Sequence, residues 1–186
     1  MTDLGAPIHV PVPSVVVLIG AAGAGKSTLA ARLFEPADVV SSDALREVLT
    51  GDAADQRATR VAFSILHREV RNRLAAGRLV VVDATNVERH ARLGLVRIAR
   101  AAGAPAIAIV LAGDGDATRA RNAAREERVV PADVVDRHLA AIARLGADPP
   151  AIEAVLRLEG FGAVSVLGEG AAPVVLLQPR TADPAG

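Results

Sequence analysis

Several residue types are scarce in this chain of 186 residues, and each shortage excludes a class of function. Cysteine is absent, which excludes a disulfide framework and a cysteine metal site. Tryptophan and tyrosine are absent and phenylalanine occurs three times, so the aromatic platforms on which single-stranded nucleic acids usually stack are nearly lacking. The formal net charge of +0 argues against a broad basic face that coats nucleic acid.

Long apolar runs are lacking as well, although 51% of the residues are hydrophobic. The longest apolar stretches, Pro11–Ala22 and Ala101–Ala112, are too short to span a bilayer and contain Pro or Gly. No Lys or Arg precedes Lys26, so the amino terminus lacks the basic region of a secretion signal. We therefore expect a soluble, cytoplasmic protein with no membrane partner.

What the chain does contain is an alternation of apolar and helical segments, typical of a parallel sheet with helices on both faces. The pattern predicts one α/β domain over residues 14–169, preceded by a proline-broken extension over 1–13 and followed by a tail over 170–186. The predicted strands are Ser14–Gly20, Val39–Ser41, Leu79–Val82, Ala106–Leu111 and Ala163–Leu167, with Val174–Leu177 as a candidate edge strand. The predicted helices are Lys26–Phe34, Asp43–Leu49, Gln56–Ala76, Glu88–Ala102, Thr118–Arg128, Pro131–Leu145 and Pro149–Glu159.

The sequence GAAGAGKS, from Gly20 to Ser27, is a P-loop between a predicted strand and a predicted helix. Its glycines allow backbone N–H groups to point at a phosphate chain, which the helix N-terminus also favours. Lys26 is the only lysine among 21 basic residues, and a compact ammonium suits the β- and γ-phosphates. Ser27, with Thr28 beside it, suits Mg²⁺. The motif predicts ATP or another NTP bound with Mg²⁺ by Gly20, Ala22, Gly23, Ala24, Gly25, Lys26, Ser27 and Thr28.

Polar residues follow two further predicted strands. Asp43 and Arg46 are three residues apart at a helix start, so both can face one pocket. Asp43 could accept the proton of an attacking hydroxyl, with Arg46 holding a phosphate or orienting that carboxylate; alternatively, Asp43 only caps the helix. Asp83 resembles a Walker-B acid that binds Mg²⁺, and Asn86 either contacts substrate or braces a loop, although both also fit a simple turn.

A run of arginines marks a later predicted helix. Arg121, Arg125 and Arg128 fall at helical spacing on one face, where three cations repel one another unless anions lie opposite. We expect a lid that clamps phosphate and excludes water, the alternative being an ordinary solvated face. His138, on the following helix, could approach the nucleotide.

Taken together, GAAGAGKST, VVSSDALR, VVVDATNV and RARNAAREER resemble the kinase module of bacterial polynucleotide kinase-phosphatase repair proteins. The resemblance runs from about Val15 to Leu167 and includes the segment GFGAVSVL. It implies a three-layer, adenylate-kinase-like P-loop NTPase fold with a helical, arginine-bearing lid. It also implies transfer of the γ-phosphate of an NTP to the 5′-OH end of RNA or DNA.

The resemblance also implies roles for individual residues. Asp43 looks like the general base, and Arg46 looks like a contact on the acceptor side. Lys26 and Ser27 look like the phosphate and metal groups, and the three stripe arginines look like lid residues. Asp83 and Asn86 stand at a strand exit of the family type, and the resemblance leaves their individual roles open.

Two other functions share much of this pattern. P-loop kinases of a small alcohol, such as a sugar, an antibiotic or a nucleotide sugar, use the same frame and the same order of Asp and Arg. A nucleotide-dependent switch without an acceptor needs only the P-loop. Because 186 residues leave no room for phosphatase and ligase-type modules, we expect the kinase module alone.

Overall fold

The computed structural model describes residues 7–51, 59–125 and 129–179. The strands are β1 (Ile8–Val12), β2 (Val15–Ile19), β3 (Val39–Ser41), β4 (Val80–Asp83), β5 (Ala106–Leu111), β6 (Ala163–Leu167) and β7 (Val175–Pro179). The helices are α1 (Lys26–Leu33), α2 (Ser42–Thr50), α3 (Thr59–Ala75), α4 (Arg89–Ala101), α5 (Gly115–Ala123), α6 (Ala132–Ala143) and α7 (Pro149–Glu159), with a 3₁₀ turn at Pro36–Asp38. The beginning of the helix predicted from Gln56 lies outside the described residues.

The main sheet has five strands in the order β3-β4-β2-β5-β6, and every pairing in it is parallel. The carboxyl ends of its strands therefore meet at one edge, where Ser41 of β3 stands in register with Asp83 of β4. After β2 the chain first adds β3 and β4 on one side of β2, and then adds β5 and β6 on the other side. A crevice opens at such a reversal, and ligands of parallel sheets bind there.

The sheet is covered on both faces, which explains why its strands are apolar without alternation. Val15, Val17 and Ile19 belong to a buried cluster with side chains of α3, α4, α6 and α7. Val16 and Leu18 belong to a second cluster, with side chains of α1 and β1. The three-layer α/β architecture predicted from the sequence is confirmed. Among the described residues, each helix is too short or too polar to cross a membrane.

A second sheet pairs β1 with β7 in parallel, from Ile8 opposite Val175 to Val12 opposite Pro179. Residues 8–12, predicted to lie in an irregular extension, therefore form a strand with a buried Ile8 and Val10. Residues 175–179 form a strand as expected near Val174–Leu177, but it joins this small sheet instead of the edge of the main one. Proline is tolerated here because edge strands do not need every N–H group for pairing.

Candidate active site

The P-loop connects β2 to α1 and is shaped by two glycines with positive φ. Gly25 precedes α1 as its N-cap with φ of 93°, and Gly23 has φ of 85°. A Cβ atom at Gly23 would also lie 2.5 Å from the carbonyl oxygen of Thr118 in α5. Only glycine fits such a position, so the loop is set by packing against α5 as well as by its own turn.

Lys26 is buried at the start of α1, and its ammonium contacts the loop that precedes it. Its Nζ donates to the carbonyl oxygens of Gly20 at 2.9 Å and Ala21 at 2.7 Å. The N–H of Gly20 donates to the carbonyl of Thr85 at 3.0 Å, which ties the P-loop to the segment after β4. The lysine is thus held beside the loop, close to where a phosphate chain would lie.

A cavity of about 160 Å³ opens beside the P-loop at the carboxyl edge of the sheet. Its lining comes from the P-loop, α2, α3, the end of β4, the segment around residue 130 and α6: Ala22, Lys26, Ser27, Ser42, Asp43, Arg46, Phe63, Asp83, Ala84, Thr85, Arg125, Val130, Val134 and His138. We call it the reaction cavity. It gathers the P-loop lysine and serine, both predicted acids and two predicted arginines at one place.

Asp43 and Arg46 form an ion pair on the wall of the reaction cavity, with Arg46 Nη2 donating to Asp43 Oδ1. Ser41 is the N-cap of α2, since its Oγ accepts from the N–H groups of Asp43 and Ala44. The alternative in which Asp43 is the capping residue is therefore wrong. Burial lowers the pKa of the Arg46 guanidinium, and the adjacent carboxylate offsets the cost of keeping that charge.

Ser27 and Asp83 supply the oxygen atoms expected of a Mg²⁺ site. Both line the reaction cavity, and Asp83 is buried at the end of β4. Within the described ranges, His, Asp and Glu side chains form no group of three that could enclose a metal. Mg²⁺ commonly binds one or two protein oxygens and completes its octahedron with water and substrate phosphates. The two residues fit a Mg²⁺ ion that arrives with a nucleotide.

His138 of α6 contacts the P-loop backbone, as its Nδ1 accepts from the N–H of Ala22 at 3.4 Å. Burial, followed by the charge of Lys26, lowers the pKa of the imidazole. The neutral ring is the form that can accept at Nδ1, so the contact and the lowered pKa agree. The sequence indicated only that His138 could approach the nucleotide; the structure places it at the wall of the reaction cavity.

A second cavity, of about 260 Å³, opens on the other side of the P-loop. We call it the side cavity; it is lined by Ala24, Gly25, Thr28, Leu29, Arg32, Leu111, Gly113, Arg121 and residues 167–171. Thr28 therefore faces away from the reaction cavity, whereas Ser27 lines it. A groove with several leucine side chains beside a phosphate loop has the character of a nucleoside site.

The predicted arginine stripe is not one surface. Helix α5 ends at Ala123, so Arg125 lies beyond the helix and cannot share a helical face with Arg121. Arg125 lines the reaction cavity and Arg121 lines the side cavity, whereas Arg128 lies outside the described residues. The prediction failed because helical spacing was extended past the point at which α5 ends.

Asn122 of α5 is a functional candidate that sequence reasoning missed. Its buried amide group donates to the carbonyl of Val130 at 2.8 Å and accepts from the N–H of Val130 at 3.2 Å. Val130 lines the reaction cavity, so the amide anchors part of that wall. A single asparagine in a charged helix gave no signal of this role.

Asn86 does not line the reaction cavity, contrary to its assignment as a substrate residue. The side chain is buried, and its Nδ2 donates to the carbonyls of Leu18 at 2.8 Å and Ala84 at 3.3 Å. The backbone has φ of 48°, a conformation that asparagine tolerates better than most residues. The geometry matches the other predicted role, a brace between β2 and the segment after β4.

A buried ion pair supports the same segment and was also missed. Arg92 donates to both carboxylate oxygens of Glu159 at 2.7 Å, and to the carbonyls of Asn86 at 3.1 Å and Val87 at 2.6 Å. The two charged residues are 67 positions apart, in α4 and α7. No local spacing could have indicated the pair.

Residues 15–146 match the profile of a family described as an AAA domain (AAA_33). No curated protein matches the chain by sequence.

Several solved structures share the fold at low sequence identity. A putative kinase from Chloroflexus aurantiacus has 20% identity and a TM-score of 0.55, with coverage of 84% of this chain and 85% of that one. A gluconokinase from Sinorhizobium meliloti has 18% identity and a TM-score of 0.54, with coverage of 88% and 86%. Kti12 from Chaetomium thermophilum, in complex with ADP-AlF3, has 17% identity and a TM-score of 0.60, with coverage of 84% and 89%. These likenesses show the P-loop kinase-like fold.

Proposed function

Because the chain belongs to the AAA domain family (AAA_33) and has a P-loop kinase-like fold, we propose that it is an ATP- and Mg²⁺-dependent phosphotransferase that acts on a hydroxyl acceptor. The observation that carries this proposal is the reaction cavity, where Lys26, Asp43 and Asp83 meet at the carboxyl ends of neighbouring strands. A phosphate-binding cation, a candidate base and a metal-binding acid are the parts that phosphoryl transfer requires.

The phosphate chain would lie along the P-loop, with its γ-phosphate in the reaction cavity and its nucleoside in the side cavity. Lys26 Nζ would exchange the carbonyls of Gly20 and Ala21 for phosphate oxygens. Ser27 and Asp83 would hold Mg²⁺, which neutralises charge on the β- and γ-phosphates. Arg125 adds a further cation on the reaction-cavity wall, where it can stabilise charge on the transferred group.

Asp43 is the proposed general base. The acceptor O–H bond breaks and its proton passes to a carboxylate oxygen of Asp43, while the acceptor oxygen bonds to the γ-phosphorus and ADP leaves with the bridging oxygen. Arg46 holds that carboxylate in place, because it already donates to Asp43 Oδ1. Most of the rate gain then comes from positioning and charge stabilisation.

For the acceptor we propose the 5′-OH end of a polynucleotide. The support is the resemblance of the P-loop, SSDALR, VVDATN and RNAAREER segments to polynucleotide kinase modules. The arginines at the reaction cavity, Arg46 and Arg125, provide cations for the phosphates next to a reacting end. An end-acting enzyme that contacts only a few phosphates does not need a basic or aromatic surface.

A small alcohol is the second candidate acceptor, and the size of the reaction cavity favours it. About 160 Å³ fits a compact molecule better than a chain of nucleotides. A gluconokinase and a sugar kinase are among the proteins that share the fold. Under this alternative, Arg46 would bind a charged group of the small acceptor.

The test incubates the protein with Mg²⁺ and γ-labelled ATP, and offers a 5′-OH oligonucleotide or a panel of sugars. Lys26→Ala and Asp43→Asn should each lower transfer about 10²- to 10³-fold, the range for loss of one charge-stabilising group. Asp133→Asn is the matched control, because Asp133 also pairs with an arginine one turn away, Arg137, but at an exposed site.

The outcomes separate the candidate functions. Label on the oligonucleotide supports the polynucleotide acceptor, and label on a sugar alone supports the small alcohol. Free phosphate in every tube, released at a rate that Asp43→Asn leaves unchanged, would contradict phosphotransfer and favour a nucleotide-dependent switch. Wild-type-like thermal unfolding of each variant, together with binding of a non-hydrolysable ATP analogue by Asp43→Asn, shows that loss of transfer is not loss of fold.

A further inference from the structure

An ion pair between Arg121 of α5 and Glu169, which follows β6, lies on the wall of the side cavity. Arg121 Nη1 donates to Glu169 Oε1 at 2.7 Å, and Arg121 Nε donates to the P-loop carbonyl of Gly23 at 3.1 Å. One guanidinium therefore connects the P-loop to the segment of residues 168–171, which also lines the side cavity.

Glu169 has a second contact that fixes this segment. Its Oε2 accepts from the N–H of Asp114, the N-cap of α5, at 3.3 Å. The same segment is tied to α1, since Arg32 Nη2 donates to the carbonyl of Ala171 at 3.4 Å. The wall thus depends on side chains from two helices, and Glu169 lies beyond residues 15–146, which match the family profile.

The opposite charges of Arg121 and Glu169 at the side cavity indicate which part of a ligand would bind there. A carboxylate close to a nucleotide would repel its phosphates, and pairing with Arg121 removes most of that repulsion. In return, the planar guanidinium of Arg121 is held in one orientation at the edge of the side cavity, where it can lie against a base. A site for bare polyphosphate would gain nothing from an added carboxylate.

We propose that Glu169 is a positioning residue for the nucleoside end of the bound nucleotide, acting through Arg121. It makes the side cavity select a complete nucleotide over the polyphosphate chain alone. This inference rests on the proposed nucleotide-dependent function.

The experiment measures, by isothermal titration calorimetry with Mg²⁺, the affinities for tripolyphosphate and for a non-hydrolysable ATP analogue. In Glu169→Gln, Arg121 loses one of the contacts that fix its orientation, so the analogue should bind about two- to five-fold more weakly, the range for loss of a half-exposed ion pair. Tripolyphosphate should bind equally well or more tightly, because a negative charge has been removed.

Glu153→Gln is the matched control. Glu153 pairs with Arg157 at 3.0 Å, and the exposed fractions of these side chains are 45% and 46%, the same values as for Glu169 and Arg121. This control should leave both affinities unchanged. In a double-mutant cycle, Glu169→Gln should add little to the loss caused by Arg121→Gln, because the two side chains act as one unit.

The two proposals fail differently. If the wild-type protein binds neither ligand, the proposed function itself is wrong. If the wild type binds the analogue and Glu169→Gln changes the affinities for analogue and tripolyphosphate by the same factor, the nucleotide-binding function stands and the role of Glu169 is overturned. Additive losses in the double-mutant cycle would contradict action through Arg121.

Discussion

Asn86 combines a left-handed backbone with a side-chain amide that donates to Leu18, and the two features can be separated by substitution. Both Asn86→Gly and Asn86→Ala lose the amide hydrogen bonds to Leu18 and Ala84, which costs about 1 to 2 kcal/mol. Alanine also keeps a Cβ atom at φ of 48°, which adds about 1 kcal/mol that glycine avoids. Urea unfolding should therefore rank wild type above Asn86→Gly and Asn86→Ala last.

A substrate-contact role for Asn86 predicts a different pattern. Both variants would then keep wild-type stability within about 0.5 kcal/mol, as ordinary surface substitutions do, while transfer to the acceptor fell sharply. Urea unfolding combined with the transfer assay on the same variants distinguishes the two cases.

At the residue scale, the sequence identified the candidate reacting and binding residues better than the residues that brace the site. Lys26, Ser27, Asp43 and Asp83 were singled out because P-loops and strand exits have local signatures, and the structure gathers them at one cavity. Asn86 was located but not resolved, since an asparagine after a strand fits substrate contact, bracing and turns equally well. The roles of Lys26, Ser27, Asp43 and Asp83 in phosphate transfer stay predictions.

Between elements, the pair of Arg92 and Glu159 joins α4 to α7 with side chains that are only 2% and 4% exposed. Removing one partner leaves the other charge buried, so Arg92→Met and Glu159→Gln should each cost about 3 kcal/mol or more in free energy of unfolding. Arg92→Met should cost more, because the carbonyls of Asn86 and Val87 also lose their donor.

Chemical denaturation of the single variants and of the Arg92→Met/Glu159→Met double variant measures this coupling. The double variant should lose clearly less than the sum of the single losses, because no unpaired charge is left behind. Additive losses would mean that the two side chains stabilise the fold independently of each other.

Element boundaries were predicted well where the signal is local. The bounds of β3, β5, β6 and α7 agree with the sequence prediction. Apolar runs mark the strands, and α7 begins at Pro149 and ends before Gly160, which are typical first and capping residues of a helix. The end of α5 was missed, since the charged residues after Ala123 keep helical spacing and carry no breaker before Pro131. The contacts of Arg92 with Glu159 and of Asn122 with Val130 carry no local sequence signal, so they became visible only in the tertiary structure.

Across the whole molecule, β1 and β7 join the two ends of the described chain in a sheet separate from the main one. Leu176 and Leu177 of β7 are exposed, whereas β2 at the centre of the main sheet is fully buried. Two-stranded sheets are marginal by themselves, so we expect β1 and β7 to open together at a lower free energy than β2 and β5.

Hydrogen exchange followed by mass spectrometry tests this expectation. Peptides that cover β1 and β7 should exchange at matching rates and before those that cover β2 and β5. Protection of β1 equal to that of β2 would show that the small sheet opens only when the whole domain unfolds. The sequence did not predict this sheet, because the residues that pair in it are 167 positions apart (Ile8 with Val175) and β1 contains Pro11.

The parallel direction of β1 and β7 also determines how the molecule carries tension. Ile8 stands opposite Val175 and Val12 opposite Pro179, so a force that pulls on residues 8 and 179 runs along both strands in opposite senses. All the hydrogen bonds of the ladder are then loaded in shear at the same time, whereas an unzipping geometry would break them one by one. Until that ladder ruptures, most of the force passes directly between β1 and β7, and only the part transmitted by the packing of Ile8 and Val10 reaches the elements that hold the P-loop.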